Sequence, residues 1–109
     1  MSSATQSHAL RDEMLPELVL AKAEPYLTEL TEWEVDLEEG ELRRQFQFAD
    51  FDSTIRFVNA IAKLAQSEDH YPDLAIHYDA LIVTMSTAAV SGLTLLDFVM
   101  ATKIEKLPR

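Results

Sequence analysis

Cysteine is absent from this chain of 109 residues, which excludes disulfides, thiolate catalysis and cysteine-based zinc sites. Glycine and proline are scarce, at two and four residues, so long flexible linkers are not expected. No apolar run approaches the roughly 20 residues needed to cross a bilayer, and no basic flank precedes an apolar stretch near the N-terminus. A cytoplasmic location without membrane contact is the expectation. Positive charge is also in short supply: nine Lys and Arg stand against 19 Asp and Glu, for a formal net charge of −10. Such a surface repels phosphate backbones and anionic lipids, so nucleic acid is not an expected partner. What is present, 48% apolar and 26% charged residues, is the composition of a globular chain with room for one core.

The acidity is concentrated. Glu29, Glu32, Glu34, Asp36, Glu38, Glu39 and Glu41 lie in one stretch without a base, which reads as a solvated strand face and turn, or as a docking surface for a basic partner. Residues 1–11 read as a flexible terminus and 12–109 as a single domain. A helix is expected from about Asp12, with Pro16 in its first turn and Pro25 ending or kinking it. Trp33, Val35 and Leu37 then alternate with acids, as in a half-buried strand, and Glu38-Glu39-Gly40 turns the chain. In the next strand Leu42, Phe46 and Phe48 share a face that Arg44 interrupts.

Asp50 is a candidate N-cap for a helix with two adjacent apolar stripes. One stripe runs Phe51, Ile55, Val58, Ala62, Ala65, and the other Phe57, Ile61, Leu64. The helix should stop between Gln66 and Asp69, because Pro72 disfavours helix just before it. A second strand pair is expected at about Leu74–Tyr78 and Leu81–Thr87, with Leu81, Val83 and Met85 on one face. Thr94 and Asp97 have capping-box spacing at the start of a last helix. That helix carries enough apolar surface for wide burial or for a subunit interface, and the interface is the preferred expectation. The resulting order, α-β-β-α-β-β-α, predicts an α+β fold: a four-stranded antiparallel sheet with three helices packed on one face.

In that order the chain resembles the pterin-4a-carbinolamine dehydratase family, from about Tyr26 to Leu107. The resemblance rests on Trp33, on Phe46-Gln47-Phe48-Ala49-Asp50-Phe51, on Phe57 and Ala65, and most sharply on His70-Tyr71-Pro72-Asp73. Tyr78, Ser86-Thr87, Gly92-Leu93-Thr94 and Asp97 complete it. The family's first histidine, its aromatic and its aspartate fall on His70, Tyr78 and Asp97. The resemblance implies dehydration of 4a-hydroxytetrahydropterin to quinonoid dihydropterin, without a metal or other cofactor. Hydroxide must leave with a proton and a ring nitrogen must lose one, work that suits histidine, whose reference pKa is about 6.5.

The resemblance also implies damage. His70 is the retained family histidine; Tyr71 stands at the second histidine's place and Ala88 at the third, while Gln66 fills an upstream charged position. A phenol with a reference pKa of about 10 is a poor proton shuttle at neutrality. His70, Tyr71 and Pro72 are therefore expected to form at most a residual pterin pocket. His77 is expected on the opposite phase of the pleat from Tyr78, at the surface, and His8 lies in the terminus. The preferred expectation is a non-catalytic assembly chaperone with RuBisCO subunits as partners, as in the α-carboxysome branch of the family, acting as a homodimer or homotetramer and associated with carboxysomes. The alternative is an active dehydratase.

Overall fold

The computed structural model describes residues 16–87, 90 and 92–109; the segment 1–11 and Ala88 lie outside the described residues. The elements are α1 (Pro16–Leu27), β1 (Glu34–Asp36), β2 (Glu41–Gln47), α2 (Phe51–Glu68), β3 (Asp73–Ile76), β4 (Ala80–Met85) and α3 (Leu95–Glu105). The four strands form one antiparallel sheet in the order β1-β2-β4-β3. No helix among the described residues is long and apolar enough to cross a membrane.

Alternation along the strands sorts the sheet into two faces. Leu42 pairs with Met85 and Phe46 with Leu81, and these residues, with Val83, are buried in one cluster with Phe57, Ile61, Phe98, Ala101 and Ile104 of the helices. The other face carries the row Glu34, Arg43, Thr84, Asp73 and the row Gln45, Ile82, Ala75. That mixture of charge and short side chains explains why the helices cover only the first face.

Three local readings are sharpened. Of the two outcomes expected at Pro25, an end or a kink, the helix does not end there: Pro25 lies inside α1. The missing N–H costs one bond just before the helix closes, and the turn is re-formed by Glu29 N–H to the Tyr26 carbonyl (3.0 Å) and Leu30 N–H to the Leu27 carbonyl (3.1 Å). In α2 the inward face is Thr54, Phe57, Ile61 and Ala65, while Phe51 is 49% exposed. Thr54 makes this phase possible, because its one hydroxyl proton has the carbonyls of Asp50 (3.0 Å) and Tyr78 (3.2 Å) within reach, and the side chain so enters the core without an unmet donor. In α3, Phe98, Met100, Ala101, Thr102 and Ile104 are all buried within the domain. Internal burial accounts for most of that helix's apolar surface, while Leu96 is left 37% exposed.

Arg44 resolves its conflict with the core face by pairing. Its guanidinium lies 4.2 Å from the Phe46 ring centroid and binds Glu105, whose carboxylate also accepts the Trp33 indole N–H at 2.8 Å. The hairpin is thereby tied to the end of α3. Its turn is closed by Asp36 Oδ1, which accepts the Glu39 N–H at 3.0 Å, and by Gly40 at φ 68°, where a Cβ would be strained.

Two outcomes test this packing. Phe57, 2% exposed and packed at tilted ring angles against Phe46 and Phe48, should cost about 3–5 kcal/mol on truncation to alanine, read by urea unfolding. Burial pushes the Glu105 carboxyl up, but hydrogen bonds from Arg44 and Trp33 and the charges of Arg44 and Arg109 outweigh it and hold the group below its ordinary value. The stabilisation is complete above the unfolded pKa of about 4.3 and disappears as pH falls through the lower folded value. Wild-type protein should therefore lose stability over that acid window more steeply than Glu105→Gln, and parallel profiles would contradict the assignment.

Candidate functional site

The site begins where α2 stops. Asp69 adopts the left-handed conformation (φ 53°, ψ 42°), and its N–H donates to the Ala65 carbonyl. The His70 N–H donates to the same oxygen at 3.2 Å. This close of the helix turns His70 away from the α2 axis and toward the N-terminus of α3. Pro72 then keeps Tyr71 out of helix, so the chain runs extended into β3.

Across the gap stands Asp97, in the first turn of α3. His70 Nε2 lies 2.7 Å from Asp97 Oδ1; the carboxylate is fully buried and the imidazole 18% exposed. Asp97 Oδ2 accepts the Thr94 backbone N–H at 3.0 Å and the Thr87 hydroxyl at 2.8 Å. The Thr87 and Thr94 hydroxyls are themselves 2.9 Å apart. Thr87 is held in place beyond β4 by a bridge to Gly92, its N–H donating to the Gly92 carbonyl at 2.7 Å.

A buried carboxylate is costly unless its oxygens are bonded. Here each oxygen has a donor, and the positive end of the α3 dipole adds to them. The imidazole is oriented by the same contact. With Nε2–H directed at the carboxylate, an assignment made from that hydrogen bond, Nδ1 of the neutral ring is the acceptor. The pair can take up a proton at one ring nitrogen and release it again.

The residues expected to share this site divide. Tyr71, adjacent to His70, is 62% exposed, and Pro72 is half-buried. Tyr78 does not join them: its ring stacks on Phe51 with a centroid distance of 6.4 Å and an interplanar angle of 12°. Phe51 opens α2 and His70 follows its end, so the two places are separated by a helix about 27 Å long at 1.5 Å per residue. His77 lies past β3 and is exposed, its N–H closing the β3–β4 turn on the Ala80 carbonyl at 2.8 Å. Among the described residues no group of three or more His, Asp or Glu side chains could hold a metal.

Sequence reasoning gave Thr87 and Thr94 no role at the site. The signal was a strand-end threonine followed at short range by a Thr-x-x-Asp helix start, which places two hydroxyls beside one carboxylate.

Comparison with known proteins agrees with this architecture. Residues 16–107 match the family model described as Pterin 4 alpha carbinolamine dehydratase. The chain belongs to the pterin-4a-carbinolamine dehydratase family. A Metallosphaera sedula protein named "Putative pterin-4-alpha-carbinolamine dehydratase" is 40% identical over 87% of this chain and 97% of its own length. The transcriptional coactivator/pterin dehydratase from Brucella melitensis superposes with a TM-score of 0.69 at 30% identity, over 77% of this chain and 89% of that one. A pterin dehydratase-like protein described as a RuBisCO assembly factor in the α-carboxysome has a TM-score of 0.58 at 18% identity, over 67% and 84% of the two chains. That last likeness is one of fold alone. Of the dehydratase family positions recognised in the sequence, the fold brings His70 and Asp97 into contact and leaves Tyr78 elsewhere.

Removing the carboxylate orphans three donors at once. Asp97→Ala should lower stability by about 2–4 kcal/mol and speed hydrogen exchange at the Thr94 amide. Unchanged exchange there would contradict the capping role.

Proposed function

We propose that the chain is a pterin-4a-carbinolamine dehydratase reduced to a single imidazole–carboxylate pair. The observation that carries this reading is the 2.7 Å contact between His70 and a buried, fully hydrogen-bonded Asp97. The contact leaves the imidazole only 18% exposed and oriented by a fixed acceptor, the arrangement a proton-transfer group needs.

The chemistry balances with one group. Dehydration breaks the C4a–O bond, takes a proton from a ring nitrogen, and uses the nitrogen electron pair to form the new C=N bond. Hydroxide leaves with one proton as water. Neutral His70 accepts the nitrogen's proton at Nδ1 while Nε2–H stays directed at Asp97, and returns that proton to the departing oxygen. Tyr71 contributes a hydrogen bond or an aromatic edge at the mouth of the pocket, not a shuttle. Because general acid–base groups typically contribute on the order of a hundred- to ten-thousand-fold each, the missing histidines at Tyr71 and Ala88 make this a slow dehydratase.

A second reading, the non-catalytic assembly factor acting on RuBisCO, is supported by those same two replacements and by the exposed acids Glu32, Glu34, Asp36, Glu38 and Glu39 of the β1–β2 region. In that reading the hairpin or the open sheet face contacts a basic surface on the partner, and the fold acts without chemistry. Homo-oligomerisation and carboxysome association belong to this reading as well. The dehydratase reading is preferred because it gives the oriented His70 imidazole a chemical use in addition to bonding the buried Asp97 carboxylate.

Stopped-flow decay of 4a-hydroxytetrahydropterin separates the two. Wild-type protein should exceed the spontaneous rate, His70→Ala should return it to that rate, and Ala88→His should raise turnover about a hundredfold or more. A wild-type rate equal to the spontaneous one would reject the enzyme. Recovery of soluble RuBisCO holoenzyme that depends on co-expression of this chain, with or without His70, would then favour the assembly role.

A further inference from the structure

The arrangement behind Asp97 has a direction. The Thr87 hydroxyl donates its one proton to Asp97 Oδ2 at 2.8 Å. Its 2.9 Å contact with Thr94 Oγ1 must therefore be one in which Thr94 donates and Thr87 accepts. The donors run in series: Thr94 hydroxyl to Thr87 hydroxyl, and Thr87 hydroxyl to Asp97 Oδ2. On the far side of the carboxylate, His70 Nε2–H approaches Oδ1 at 2.7 Å.

The Thr94 backbone N–H alone, at 3.0 Å from Oδ2, holds one oxygen from the helix side and leaves the carboxylate free to rock about its terminal torsion. Thr87 grips the same oxygen from the end of the sheet. Two donors on Oδ2 leave Oδ1 as the face presented to the imidazole. Thr87 and Thr94 are 6% and 0% exposed, so water does not compete for these bonds.

We propose that Thr87 is the positioning residue of the site: its buried hydroxyl orients the Asp97 carboxylate and thereby fixes His70 in the tautomer with the proton on Nε2 and the acceptor on Nδ1. This rests on the reading that His70 is the proton-transfer group, and it adds the element that sets which nitrogen does the accepting. Thr87 touches no substrate and acts only through Asp97.

The test uses Thr87→Val, which keeps shape and removes the hydroxyl, and Thr87→Ser, which keeps the hydroxyl and removes the methyl. The first readout is the pair of ¹⁵N chemical shifts of the His70 ring in the ligand-free protein near neutral pH. Wild type and Thr87→Ser should show the Nε2–H tautomer, and Thr87→Val a mixture of the two. The second readout is turnover, where Thr87→Val should lower kcat about tenfold with KM unchanged and Thr87→Ser should restore it. An unaltered tautomer ratio in Thr87→Val overturns the proposal. So does loss of the Nε2–H form in Thr87→Ser, which decides the matter even if the valine variant does not fold. Because the ring shifts are recorded without substrate, they judge Thr87 independently of whether wild-type protein dehydrates a pterin.

Discussion

The carboxylate of Asp97 is the constraint around which the functional end of this fold is arranged. A fully buried acid is tolerated only where each oxygen is bonded, and the partners come from three elements: His70 after α2, Thr87 after β4, and Thr94 at the start of α3. One charge thus fixes the relative positions of a helix end, a strand end and a helix beginning. The same charge caps α3 and orients the imidazole, so the packing and the geometry of this end depend on one side chain.

A second carboxylate fastens the rest. Glu105, at the other end of α3, receives Trp33 from the loop before β1 and Arg44 from β2. The last helix is therefore anchored to the hairpin at one end and to the site at the other. Burial of Phe98, Met100, Ala101 and Ile104 follows from that double attachment, while Leu96 and Lys103 stay on the exposed side of the helix. The exposed Phe51–Tyr78 stack belongs to the opposite end of α2, far from the His70–Asp97 pair.

Much of this was legible in the residues, for reasons that differ by element. Alternation in Leu81, Val83 and Met85 made β4 readable, because a strand buried on one face repeats every second residue. The end of α2 was readable from Pro72. The phase of α2 was not, since Thr54 looks polar until the carbonyls of Asp50 and Tyr78 are known to meet its hydroxyl. Arg44 looked like a defect in an apolar face, because its partner Glu105 lies 61 residues away in sequence. At the site, Asp97 was recognisable by its capping spacing and by family resemblance. Its contact with His70 and the two threonine hydroxyls behind it are products of tertiary folding, which no local pattern encodes. Tyr78 shows the converse: a position matched by resemblance that the fold places away from the chemistry.

On the proposed reading a pterin is recognised at the His70–Asp97 pair. Addition of dihydropterin to isotopically labelled protein, followed by NMR, tests that location directly. Concentration-dependent shifts are expected at the His70 ring and at the Tyr71 and Thr94 amides, with the Glu34–Arg43 hairpin unmoved. Shifts confined to the hairpin or to the open face of the sheet, with His70 silent, would contradict it.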